Sequence, residues 1–201
     1  MTNKDQINKK VRLSKLKRWE EIYMPKMLER YHIPKRIHSI LLEQGLPPVN
    51  HLQSFNSMYI HGDSGTGKTV MAVQYMFGHM AYKFACSETI TGSFITVPEL
   101  LLEFRNTYNE KIMTETGLLN YYSGVGLLVL DDLGVQDTTA WSFQLLYMLI
   151  NRRYNELLPI IITSNYNLSE LAEKMEDDRI PSRLYEICDV IEQKHQYRHL
   201  L

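Results

Sequence analysis

The chain has 201 residues, 44% of them hydrophobic, with a net charge of −1. That length suits one compact domain with a modest extension. No apolar run is long enough to cross a bilayer, and the polar, basic N-terminus lacks the apolar core of a secretory signal, so the expected setting is cytoplasmic, with no membrane partner. The near-neutral charge confines any nucleic-acid affinity to local patches. The two cysteines, Cys86 and Cys188, have no metal-ligand spacing and read as small packing residues in a reducing compartment.

Residues 1–20 carry Lys4, Lys9, Lys10, Arg12, Lys15, Lys17 and Arg18 against Asp5 and Glu20. This basic stretch reads as a partner-docking helix, a DNA-contacting arm or a solvated tail. From Trp19 to Leu46 the pattern is helical, with Ile22, Met27, Leu28, Ile37, Ile40, Leu41 and Leu42 as apolar positions. Pro25 and Pro34 are expected to interrupt it. The apolar face of Trp19, Ile22, Tyr23 and Met27 favours docking to a partner. Gly45-Leu46-Pro47-Pro48 is a breaker. The expected organisation is a basic helical extension over 1–46 and a nucleotide-binding core over 47–201.

The core opens on a short strand, 57–61, followed by Gly62-Asp63-Ser64-Gly65-Thr66-Gly67-Lys68-Thr69. This is a complete G-x-x-x-x-G-K-[ST] phosphate-binding loop. Its glycines let the backbone N–H groups face a triphosphate, Lys68 reaches the β- and γ-phosphates, and the Thr69 hydroxyl binds Mg²⁺. Val70, Val73, Phe77 and Met80 then follow at helical spacing, and the N-terminal end of that helix adds positive potential. ATP and Mg²⁺ are therefore the expected ligands. Loop residues 62–69 and Val70 are the expected binding set. A Gly-rich surface turn is the plainer alternative, and the strand–loop–helix context argues against it.

Further strands are expected at 94–97, 127–130, 160–163 and 189–191. Several are continuous apolar runs, as in a parallel sheet covered on both faces. Helices alternate with them. One is opened by Pro98 with Leu101, Phe104 and Tyr108 on a face. Another is capped by Thr138 or Thr139, and a third by Asn167 with Glu170 in a capping-box pattern. The expected fold is α/β, a three-layer P-loop NTPase with a five-stranded parallel sheet.

Leu127-Leu128-Val129-Leu130-Asp131-Asp132 places two carboxylates at a strand end. Asp131 fits the Mg²⁺-side carboxylate, and Asp132 is placed to orient or deprotonate an attacking water. A solvated turn is the alternative for Asp-Asp-Leu-Gly. Ile160-Ile161-Ile162-Thr163-Ser164-Asn165 ends in a neutral polar tip, where Asn165 can touch the γ-phosphate or the water, or simply form a turn. Arg179 and Arg183, in Asp177-Asp178-Arg179-Ile180-Pro181-Ser182-Arg183-Leu184, could stabilise phosphate charge, including in a neighbouring subunit. From spacing alone a salt-bridged helix start is the better explanation of them.

Taken in order, Gly-Asp-Ser-Gly-Thr-Gly-Lys-Thr, Leu-Val-Leu-Asp-Asp-Leu-Gly, Asn-Arg-Arg-Tyr, Ile-Thr-Ser-Asn and Ser-Arg-Leu resemble the AAA+ ATPases of the DnaC/DnaI/IstB group, bacterial replicative-helicase loaders and transposition helper ATPases. The resemblance covers roughly residues 50–200. It implies that Lys68 and Thr69 belong to Walker A and that Asp131 and Asp132 belong to Walker B, with Asp132 where many AAA+ proteins have Glu. It implies that Asn165 is sensor 1, that Arg183 is the arginine finger with Arg179 as a nearby second candidate, and that Arg198 is a sensor-2 arginine. It also implies an ATPase that forms a homo-oligomer in the ATP state, binds single-stranded DNA and delivers a hexameric replicative helicase. With the last strand close to Leu201, the helical lid of other AAA+ proteins is not expected; loaders of this group tend to lack it.

The family's DNA-facing helical insertion falls at 98–123, holding Arg105, Tyr108, Lys111, Tyr121 and Tyr122. Arg105 and Lys111 are the expected DNA contacts, and a core role for the aromatics is the alternative. Three rival functions stand beside the loader: an IstB-like transposition helper, a small-molecule P-loop kinase, and a non-hydrolysing module that uses ATP as an assembly ligand.

Overall fold

A computed structural model describes residues 12–47, 56–88, 91–107, 113–135 and 139–194. Lys111, Tyr108, Thr138 and Arg198 lie outside the described residues, as does much of the basic N-terminal stretch.

Five strands, β1 (Ser57–His61), β2 (Gly92–Thr96), β3 (Leu127–Leu133), β4 (Ile160–Ser164) and β5 (Cys188–Glu192), form one parallel sheet in the order β2-β3-β4-β1-β5. The side chains divide by strand parity, as the pleat requires. Tyr59, Leu128, Leu130, Ile160 and Ile162 enter one apolar cluster, and Met58, Ile60, Leu127, Val129 and Ile161 enter the other. Continuous apolar runs in β3 and β4 serve both faces at once, which is why no alternation is visible in their sequence.

The first cluster lies under α5 (Val97–Asn106), α6 (Glu115–Gly124), α7 (Ala140–Asn155), α8 (Leu168–Met175) and α9 (Arg179–Ile187). Pro98 sits in the first turn of α5, where its missing N–H costs no helical bond. Thr96 caps that helix, Thr139 caps α7 with Ser142, and Asn167 caps α8 with Glu170. Val97 therefore belongs to a helix, and β2 lies slightly earlier than its apolar residues suggest.

The second cluster lies under α4 (Lys68–Ala85) and the N-terminal helices: α1 (described over 12–18), a π-helical turn at Trp19–Tyr23, α2 (Met24–Arg30) and α3 (Lys35–Gln44). Trp19 meets Phe77 edge-on at 5.8 Å, and Tyr23 meets Phe84 at 5.2 Å. The apolar face expected to dock on a partner thus packs largely on this chain's own α4, while Ile22 stays exposed. Pro25 does not interrupt the helix. It occupies the first turn of α2, and the wide π turn before it supplies room for a ring that would clash with the preceding turn. Pro34 does separate α2 from α3, as its N-cap.

Candidate functional site

The carboxyl ends of β1, β3 and β4 lie side by side, with His61 in register with Ser164 and Leu133 also opposite Ser164. In a parallel sheet this edge is where ligands bind, because each strand hands its last side chains to a loop there. The phosphate loop leaves β1 and feeds directly into α4. Gly67 is the N-cap of α4 with φ of 91°, a left-handed value that favours glycine. Gly62 has φ of 142°, and a Cβ there would stand 2.4 Å from the Gln193 carbonyl oxygen. Gln193, just past β5, holds the loop from outside: its N–H donates to the His61 carbonyl at 2.7 Å, and its side-chain amide donates to the Thr66 carbonyl at 3.3 Å. Nothing in the sequence signals Gln193. Within the loop, the Thr66 hydroxyl donates to the Asp63 carbonyl at 2.8 Å.

Lys68 Nζ donates to the carbonyls of Gly62 and Asp63 and to Asn165 Oδ1, each at 2.8 Å. All three ammonium hydrogens are used, so an arriving phosphate must exchange for these acceptors. Burial pushes the Lys68 pKa down, opposed by the charges of Asp132, Asp131 and Asp63. Lys68 and Asn165, far apart in sequence, are therefore in direct contact.

Asp131 is 4% exposed and grips both neighbours. Thr69 donates to its Oδ2 at 3.0 Å, and Thr163 donates to its Oδ1 at 2.6 Å. Burial raises its pKa to about 6, with the nearby Asp132 charge adding and the bonds from Thr163 and Thr69 and the Lys68 charge opposing. The ladder between β3 and β4 is irregular between Leu130 and Leu133, and Asp132 has φ of 61°. Such a bulge re-aims one side chain, and Asp132 lines the cavity above the loop. The Thr163 hydroxyl also accepts from the Asp132 N–H at 2.9 Å, so one side chain fixes both carboxylate residues. Thr163 stands inside the Ile-Thr-Ser-Asn motif, yet the reading of that motif assigned a role only to Asn165. The available signal was a hydroxyl within an otherwise apolar strand.

The Thr69 hydroxyl and Asp131 carboxylate are a fitting pair for Mg²⁺, which is held by one or two protein oxygens plus phosphate and water. Among the described residues no cluster of three or more His, Cys, Asp or Glu could hold a metal unaided.

The cavity above the loop is about 390 Å³ and is lined by Ser64, Gly65, Gly67, Lys68, Thr69, Val70, Asp132, Val135 and Asn165 and, from α3, by Arg36, Ile37 and Ile40. A helix assigned from sequence to the extension is therefore one wall of the site. The phosphate loop, Val70, Asp132 and Asn165 converge here, and the buried Asp131 joins them through its bond from Thr69. Arg183 does not: its hydrogen-bond partners lie on α7 and α9. Arg105 sits at the end of α5, 5.3 Å over the Trp141 ring. Tyr121 is exposed, whereas Tyr122 is buried at 5% with its hydroxyl on Glu103, which makes it a core residue and not a stacking platform.

No helix among the described residues is long and apolar enough to cross a membrane. A family model described as IstB-like ATP binding protein matches residues 2–199. The chain is 28% identical over 130 residues to the replicative helicase loader DnaI of Bacillus subtilis, a stretch covering 61% of this chain and 39% of that protein. It is 26% identical over 132 residues to the replicative helicase loader DnaC of Escherichia coli K12, covering 64% and 49%. The match thus spans less than half the length of each of these relatives. A crystal structure of the DnaC helicase loader aligns with a TM-score of 0.63 at 26% identity, covering 83% of this chain and 96% of that one. The fold is that of the AAA+ P-loop domains. With phosphate loop, paired strand-end carboxylates and Asn165 meeting at one sheet edge, and the family model matching nearly end to end, the chain belongs to the family of IstB-like ATP binding proteins.

Proposed function

We propose that this protein is an ATP-hydrolysing helicase loader of DNA replication. The observation that carries this reading is the convergence of Lys68, Thr69, Asp131, Asp132 and Asn165 at one cavity. ATP binds along residues 62–69, with α3 walling the cavity, and Lys68 leaves its carbonyl acceptors for the phosphates. Thr69 and Asp131 hold Mg²⁺, which supplies charge neutralisation at the phosphates. Asp132 orients the attacking water, and Asn165 senses the γ-phosphate once Lys68 releases it. Arg183 acts on the nucleotide of a second subunit, so the competent form is a homo-oligomer. Arg179 is the second candidate for that role, and Arg198 is proposed as a sensor-2 arginine.

Arg105 beside Trp141 is a cation and an aromatic together at the end of α5, chemistry that suits single-stranded DNA. Lys111 is proposed as its companion. The segment 1–46 is proposed as the helicase-docking part, through outward residues such as Leu13 and Ile22. The IstB-like family match favours one second reading, a transposition helper with the same ATP site and a different partner.

Turnover should rise more than linearly with protein concentration. Arg183→Ala should bind a fluorescent ATP analogue normally yet lose at least about a hundredfold of turnover at high concentration, since such arginines contribute ~10³–10⁵. Linear, Arg183-independent turnover would remove the shared site.

A further inference from the structure

The two candidate arginines occupy one aromatic ladder on α7 and α9, and the ladder treats them differently. Phe143 and Tyr147 stack with rings 6.3 Å apart and 13° from parallel. The Arg179 guanidinium lies 4.9 Å over Phe143 and 5.0 Å over Tyr147. That of Arg183 lies 4.8 Å over Tyr147 and 5.6 Å over Tyr154. Stacking of this kind fixes the plane of a guanidinium without consuming its charge.

Their polar partners differ in charge. Arg179 is held by the Asp177 carboxylate, with an ion-pair distance of 2.7 Å and Nε donating to both oxygens at 3.0 Å. Its charge is matched within the subunit. Arg183 instead donates from Nε to Asn151 Oδ1 at 2.7 Å, from Nη2 to the Tyr147 hydroxyl at 2.9 Å, and from Nη1 to the Arg179 carbonyl at 3.2 Å. All three acceptors are neutral. The ion pairs among the described residues are Lys83–Glu88, Arg179–Asp177 and Lys194–Glu192, and Arg183 belongs to none. A cation oriented by neutral groups keeps its attraction for an anion arriving from outside. One oriented by a carboxylate has already lost much of it.

We propose that Tyr147 and Asn151 are positioning residues that hold Arg183, and not Arg179, ready for the phosphates of a second copy of this chain. The proposal rests on the shared-site reading above and names the part of the molecule that prepares its arginine. It also gives the Asn-Arg-Arg-Tyr segment a division of labour. Asn151 and Tyr154 face Arg183, Arg153 turns into the core, and Arg152 donates to Asn120 on α6 at 2.7 Å. Helical periodicity sends consecutive residues to these different faces.

The deciding variant is Asn151→Asp. It preserves shape and the bond to Nε but places a carboxylate on Arg183, matching its charge as Asp177 matches that of Arg179. The fold should be as stable as before or more so, and binding of a fluorescent ATP analogue should be unchanged. Turnover at assembling concentrations should fall by about tenfold to a hundredfold, in kcat and not in KM, as expected when a catalytic group is held off its target. Adding Lys68→Ala subunits, which carry an unaltered Arg183 clamp, should restore turnover to Asn151→Asp subunits. Tyr147→Phe keeps the stack and removes one hydrogen bond, and should lose severalfold in kcat. A purely structural role would instead show as a lower melting temperature with kcat intact. Asn151→Asp turning over normally while Arg183→Ala is silent would overturn the clamp and leave the shared site standing. Normal turnover by Arg183→Ala would overturn both.

Discussion

Asp131→Asn should make the nucleotide-free protein more stable at pH 8 while abolishing ATP turnover. The Asp131 carboxyl is buried and its pKa is raised to about 6 from an ordinary 3.8. A group whose pKa is raised on folding favours the folded state below its unfolded pKa and loses that contribution as pH rises through the folded value. Above pH 6 the ionised, buried carboxylate therefore costs stability, on the order of 3 kcal/mol for a shift of this size. Asparagine keeps hydrogen-bonding atoms toward Thr69 and Thr163 without the charge. At roughly 2–4 °C per kcal/mol for a chain of this length, the variant should melt about 6–12 °C higher at pH 8. The gap should shrink as pH falls through 6 and close below about 4. Thermal melts across that range check it. A variant that melts lower at pH 8, or a gap that ignores pH, would show that Asp131 is not held at the expense of stability. The lost turnover follows because a neutral amide cannot neutralise Mg²⁺. A site that strains its own fold in order to hold a charge is one expected of function more than of packing.

Arg153→Met should cost several kcal/mol, since each buried carbonyl left without its donor costs about 1–3 kcal/mol. Arg153 is fully buried, and burial pushes its pKa down to about 10. Among the described residues it has no carboxylate partner. Nη1 donates to the carbonyls of Tyr122, Ser123 and Val125 at 3.0, 3.3 and 2.7 Å, and Nη2 donates to that of Pro159 at 2.6 Å. These close the C-terminal end of α6, where helix carbonyls lack intrahelical partners and the dipole attracts a cation. They also tie α6 to the entry of β4. Methionine would leave four carbonyls without their common donor. Lysine, with one ammonium in place of a planar fork, should recover only part of the loss. Chemical denaturation of the three proteins measures this. A methionine variant within about 0.5 kcal/mol of the parent would contradict the clamp.

The sequence made some of these features readable and hid others, for physical reasons. Strands β1 and β4 and the capping boxes are local, since apolar runs and Asn167 with Glu170 need only a few residues to specify them. The phosphate loop is local too, as are the carboxylates that follow Leu130. What local pattern could not supply was the bulge that turns Asp132, because it depends on the Thr163 hydroxyl of a neighbouring strand. The apolar stripe of residues 19–28 was visible, but its target was not: a face that docks on a partner and one that docks on its own α4 have the same periodicity. Pro25 was misread for a similar reason, since a π turn has no sequence mark of its own. Arg183 was legible through a motif. Its holders Tyr147 and Asn151 lie a whole strand and a helix away in the chain, and only the packing of α9 on α7 brings them to it.

Mixing Arg183→Ala protein with Lys68→Ala protein tests the shared site most directly. The first keeps an intact phosphate loop and lacks the arginine, and the second keeps the arginine and lacks the lysine. Each should be nearly silent alone at any concentration. Together they should regain turnover, because subunits of the first kind hold ATP while subunits of the second supply Arg183. A mixture that co-assembles yet stays as silent as its parts, or Arg183→Ala protein that hydrolyses ATP normally by itself, would show that Arg183 does not complete a neighbour's site.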